Sequence, residues 1–73
     1  MNKIYRLKVL AIFADINIDD IYSDYEEARH HFESWKYDTR VMETHGCVSL
    51  VEMRPDEVTC KYEVSRELGD HQW

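Results

Sequence analysis

The chain has 73 residues, 44% of them hydrophobic and 12% aromatic, with fifteen acidic against nine basic side chains and a net charge of −6. That length makes one small domain near the lower limit for folding on its own core, and the aromatic content is too high for a disordered chain. The acidic balance excludes a protein that holds nucleic acid through its phosphates, which takes a basic patch.

Residues 3–14, KIYRLKVLAIFA, read as a strand. Tyr5, Leu7, Val9, Ala11 and Phe13 make an apolar face at a period of two, while the other face passes from Arg6 and Lys8 to Leu10 and Ile12. Residues 16–22, INIDDIY, alternate again at Ile16, Ile18 and Tyr22, compatible with a short strand turned back on the first near Asp15 and Asn17.

Charge is segregated along this half of the chain. Residues 1–14 carry Lys3, Arg6 and Lys8 and no acid, whereas Asp15, Asp19, Asp20, Asp24, Glu26 and Glu27 follow with no basic residue among them. Two explanations compete. Acids in the first turn of a helix complement its dipole, which accounts for Asp24, Glu26 and Glu27. Asp15, Asp19 and Asp20 are not needed for that purpose and point to an acidic face that meets a partner's positive surface. A calcium loop is ruled out because no glycine follows at the required offset.

Ser23-Asp24-Tyr25-Glu26 matches the S-x-x-E capping box. Tyr25, Ala28, Phe32 and Trp35 then recur on one side of a helical wheel, with Glu26, His30 and Glu33 opposite, which predicts a helix over residues 24–36. Its exit has two readings: an extension to Thr44 with Gly46 as the terminating glycine, or, favoured because Asp38 and Thr39 interrupt the stripe, an end near Lys36, after which TRVMET and CVSLVEM could be strands joined at His45-Gly46.

Residues 47–53 and 58–64 read as a hairpin turned at Pro55 and Asp56. This places Val58 opposite Met53, Cys60 opposite Val51, Tyr62 opposite Ser49 and Val64 opposite Cys47 on an apolar inner face. Val48, Leu50 and Glu52 then fall on the outer one. Residues 66–73 read as a tail. The expected fold is a single α+β domain over residues 1–65, with one helix packed on three or four antiparallel strands in the order β-(β)-α-β-β. Since one helix covers one sheet face, Leu10, Ile12, Val48 and Leu50 are expected to form an exposed apolar interface.

The remaining candidates reduce to structural roles. His30, His31, His45, Cys47, Cys60 and His71 lack the paired spacings of a zinc site, so no metal and no cofactor is expected. Cys60 on an apolar strand face behaves as a small hydrophobe, and Cys47 has no third group to make it a nucleophile, so no catalytic residue is assigned. Neither a signal peptide nor an apolar run long enough to span a membrane is recognisable, which points to a reducing, cytoplasmic setting with free thiols.

On Asp15, Asp19, Asp20, Asp24, Glu26 and Glu27, and on its size and lack of motif, the chain resembles the short acidic proteins that bacteriophages encode against host defence or transcription machinery. These include anti-CRISPR and DNA-mimic inhibitors. The resemblance implies a non-enzymatic inhibitor in the host cytoplasm that occupies the basic groove of a nucleic-acid-handling protein. A structural module that self-associates through its sheet, as a homodimer, is the other expectation.

Overall fold

The structure is a computed structural model that describes residues 3–73. Four antiparallel strands, β1 (Ile4–Ala11), β2 (Ile16–Tyr22), β3 (Cys47–Pro55) and β4 (Tyr62–Gln72), form one sheet in the spatial order β2-β1-β3-β4. Two helices, α1 (Tyr25–Lys36) and α2 (Thr39–Glu43), lie between β2 and β3 in the chain, and α1 packs on β1 and β3. The fold is α+β as expected, with residues 16–22 as the fourth strand and a short second helix added. No helix is long and apolar enough to cross a membrane.

The alternation in β1 produces the core directly. Leu7, Val9 and Ala11 are buried together with Ile16 of β2, Ala28 and Phe32 of α1, Val41 of α2, and Val48 and Leu50 of β3. The strand stops earlier than its apolar pattern. Ile12–Ala14 form a 3-10 turn, and Asp15 closes it in the left-handed region at φ 57°, donating its N–H to the Ile12 carbonyl at 3.1 Å. Aspartate tolerates that conformation better than most residues. Reversing the chain here turns Phe13 away from the core, to 89% exposure.

The cap of α1 lies one residue later than the serine suggests. Asp24, not Ser23, has the extended backbone of an N-cap, and its Oδ2 accepts from the Glu27 N–H at 3.3 Å. Asp24-x-x-Glu27 repeats the capping spacing one step on. At the other end α1 stops at Lys36, because Asp38 caps a new helix by accepting from the N–H groups of Arg40 and Val41. Residues 39–43 are therefore neither an extension of α1 nor a strand.

The last hairpin departs most from expectation. Its loop spans Asp56–Lys61, held by Asp56 N–H to the Lys61 carbonyl at 2.7 Å, Cys60 N–H to the Asp56 carbonyl at 2.9 Å, and Val58 N–H to Asp56 Oδ1 at 2.9 Å. Cys60 sits in the loop at φ 60°, and Val58 is 91% exposed. Met53 pairs with Val64, Glu52 with Arg66, Leu50 with Gly69 and Val48 with His71, with two register irregularities on the way. Residues 66–72 are thus strand and not tail.

Long-range contacts set this register. An added Cβ on Gly69 would lie 2.7 Å from Cζ of Phe32, so only glycine leaves room for the tip of the ring against β4. The Trp73 N–H donates to the Gly46 carbonyl at 3.0 Å, and its indole Nε1 donates to the Lys36 carbonyl at 2.8 Å. The second bond satisfies a carbonyl that the end of α1 leaves open. Both cysteines are free, Cys47 at the start of β3 and Cys60 in the loop at the far end of the hairpin.

Candidate functional site

The six carboxylates of residues 15–27 do not gather on one face. Asp19 projects to the face of the sheet that the helices leave uncovered. There Arg6 grips it in a two-pronged pair, Nε to Oδ1 at 2.8 Å and Nη2 to Oδ2 at 2.6 Å. Lys8 stands directly across from it on β1. The Arg6 hydrogen bonds hold the Asp19 carboxyl below its ordinary range. Asp15 closes the β1–β2 turn at the opposite end of β2.

Asp20, on the helix side of β2, belongs to a different group. Across the sheet it falls in one row with Leu7, Leu50 and Gly69, at the open edge. The neighbouring row begins with Tyr22, whose phenol is pushed up first by burial and then by the charges of Asp20 and Glu27. Tyr22 shares the helix-side face of β2 with Asp20 and stacks on His31, one turn beyond Glu27, so this end of β2 meets the start of α1, where Glu26 and Glu27 follow the capping Asp24. His31 stacks on Tyr22 with ring centres 5.0 Å apart and walls the same corner. Among the described residues Asp15, Asp20, Asp24, Glu26 and Glu27 have no cation within ion-pair distance.

The expected apolar interface is not formed. Val48 and Leu50 are 0% exposed beneath the helices, while Leu10 and Ile12 are 42% and 72% exposed. The parity of β3 is the reverse of the one its pairing with residues 58–64 implied. Leu50 stands opposite Leu7 and Val48 opposite Val9, so the side that meets α1 is Val48, Leu50 and Glu52. Residues 47–53 are apolar on both faces, and only contact with β1 chooses between them.

That same reversal puts Glu52 inside. Its side chain is 3% exposed, and cations from β3, from β4 and from the residue just before β1 surround it. Arg54 Nε donates to Oε1 at 3.2 Å, Arg66 Nη2 to Oε2 at 3.3 Å, and Lys3 Nζ lies 4.0 Å from Oε2. Ser65 Oγ donates to Oε1 at 2.9 Å. Tyr5 is its neighbour on β1 and meets Tyr25 of α1 edge to face at 5.6 Å. The sequence signal for this centre is slight: a lone glutamate in an apolar strand with an arginine two residues on. Glu52 ties β1, β3 and β4 together beyond the start of α1. Among the described residues, no three of His, Cys, Asp and Glu converge in a way that would hold a metal ion.

The Ser65 hydroxyl, followed by Arg54, Lys3 and Arg66, lowers the Glu52 carboxyl against the opposing effect of burial. A carboxyl lowered in the folded state contributes stability above its unfolded value, about 4.3 for glutamate, and loses it as pH falls through the folded value. Asp19 (through Arg6), Asp38 (through Arg40) and Asp56 (through the Val58 N–H) act in the same direction. Glu52→Gln is therefore expected to cost stability near neutral pH, with the deficit narrowing in acid as the wild-type carboxyl protonates. Urea melts across the acid range check this, and a deficit independent of pH would mean that the charge of Glu52 contributes nothing.

Comparison with known protein families, curated proteins and solved structures finds no match to this chain.

Proposed function

We propose that this chain is a small non-enzymatic protein-binding inhibitor, acting in the host cytoplasm, that sets its acidic edge against a basic, nucleic-acid-binding surface of a host protein such as a CRISPR or other defence effector. One observation carries the reading: the distribution of cations. Arg6 is held by Asp19, and Lys3, Arg54 and Arg66 converge on Glu52. Along β2 and the first turn of α1, meanwhile, Asp15, Asp20, Asp24, Glu26 and Glu27 have no cation partner among the described residues. Carboxylates left in this way steer a positively charged partner and add salt-sensitive affinity.

The test is a triple variant, Asp20→Asn with Glu26→Gln and Glu27→Gln. Asp24 is kept because it caps α1, and Asp19 because it holds Arg6. Loss of two first-turn acids is expected to cost stability by at most about 2 kcal/mol. Binding to a partner captured from host lysate and identified by mass spectrometry should fall at least about tenfold at low salt, mainly through slower association. Unchanged affinity would reduce the carboxylates to a solvated rim.

Self-association is a second reading, favoured by Phe13 and Ile12 at 89% and 72% exposure beside half-exposed Leu10. On that reading Phe13→Asp yields a folded monomer from an oligomeric wild type in sedimentation equilibrium. A monomeric wild type removes it.

A further inference from the structure

The two edges of the sheet are built differently. The β3–β4 pairing is broken by two register irregularities, and β4 carries Gly69, features that spoil a continuous row of backbone groups. In contrast, β2 pairs with β1 residue for residue from Ile16 to Tyr22, without irregularity, proline or glycine. Among the described residues, no backbone group of residues 16–22 bonds to anything beyond the pairing with β1. The outward backbone of β2 is therefore an open row about 23 Å long.

Charge decides what fits there. A second copy added through its own β2 would bring Asp19 and Asp20 of both chains onto one short seam, and like charges across a strand pair repel. A strand bearing lysine or arginine on alternate residues meets the opposite situation. Its cationic side lies next to Asp20 on the helix side of the sheet, where Glu27, one turn before the His31 that stacks on Tyr22, extends the same field. Its other side lies beside Asn17, Ile21 and Asp19, the last already held by Arg6.

We infer that β2 accepts an extended basic segment of a partner protein as a fifth strand, its alternate Lys or Arg side chains facing Asp20 and Glu27. This rests on the acidic-edge reading above and adds the mode of recognition: main-chain pairing supplies affinity, and the alternating cations supply specificity.

The experiment uses the isotope-labelled full chain and capped synthetic peptides, each about as long as β2 (seven residues), alternating Lys with Val. In the parent peptide every backbone N–H is free. Two isomers carry N-methyl groups on alternate residues, one along each edge, which blocks hydrogen bonding on that edge and leaves the charge intact. The parent is expected to shift the amide resonances of residues 16–22 and to slow their exchange at low salt. One isomer should lose at least about tenfold in affinity, and the other should match the parent. If both isomers bind as well as the parent, strand addition is wrong and attraction to the acidic edge alone remains. If no basic peptide binds while the Asp20/Glu26/Glu27 variant still weakens the captured partner, strand addition falls and the acidic-edge reading stands. If that variant also keeps its affinity, both fall together.

Discussion

Leu50→Glu is expected to leave the chain unfolded, whereas Leu10→Glu on the uncovered face is expected to change stability by no more than about 0.5 kcal/mol. Leu50 is 0% exposed and stands opposite Leu7, also 0% exposed, beneath α1. Truncating such a leucine to alanine alone costs about 2–5 kcal/mol. An unpaired buried carboxylate adds a desolvation penalty of several kcal/mol more. A domain of 73 residues has a total stability of only about 4–11 kcal/mol to set against this. Circular dichroism and urea melts of the two variants decide the point. A folded Leu50→Glu protein would mean that β3 presents its other face to the helices.

Gly46→Ala and His45→Gly, one residue apart, are expected to move stability in opposite directions. A Cβ on Gly46 would lie 2.9 Å from the Ala11 Cβ, 2.9 Å from Val41 Cγ1 and 3.0 Å from the Leu10 carbonyl oxygen. Two of those three atoms are backbone or fixed directly to it, so they cannot turn aside. Overpacking of this kind costs about 1–3 kcal/mol. The backbone of Gly46 itself is ordinary, with no positive φ. The left-handed residue after α2 is His45, at φ 57°. A side chain there costs about 1–2 kcal/mol. Glycine removes that cost but enlarges the freedom of the unfolded chain by about 0.4–1 kcal/mol, so the net gain is at most about 1.6 kcal/mol. Urea midpoints of the two variants test both signs. A neutral Gly46→Ala would show that the α2–β3 junction can give way.

Much of this fold is legible in local patterns. Leu7, Val9 and Ala11 recur at a spacing of two, and Ala28 and Phe32 at helical spacing, because β1 and α1 each bury one face only. The stop at Lys36 is legible as well, since Asp38 competes for backbone N–H groups wherever the chain runs. In the cap of α1 the local signal is right in kind and off by one. Ser23 and Asp24 both satisfy the spacing, and the backbone conformation selects Asp24.

The sites fare differently, because charge along a chain does not say which charges meet. Asp19 is neutralised by Arg6, thirteen residues away in sequence, and Glu52 by Arg54 of its own strand together with Arg66 of β4 and Lys3 just before β1. Of the six carboxylates read as one array, Glu26 and Glu27 stand in the first turn of α1 after the capping Asp24, and Asp20 faces that end of the helix from β2.

Two features of the last hairpin lie beyond any local pattern. Residues 47–53 are apolar on both faces, so the parity of β3 follows from Leu7 and Val9 across the sheet and is absent from the strand's own alternation. Residues 58–64 alternate well enough to be a strand by themselves, yet Val58 and Cys60 lie in the loop and the pairing extends to Gln72. Slipping the register by a few residues leaves local propensity nearly unchanged. The choice falls to contacts distant in sequence: Phe32 over Gly69, Trp73 on the Lys36 and Gly46 carbonyls, and Arg66 on Glu52. A period of two specifies that a segment is a strand, but which strand it meets, and on which side, is a property of the packed chain.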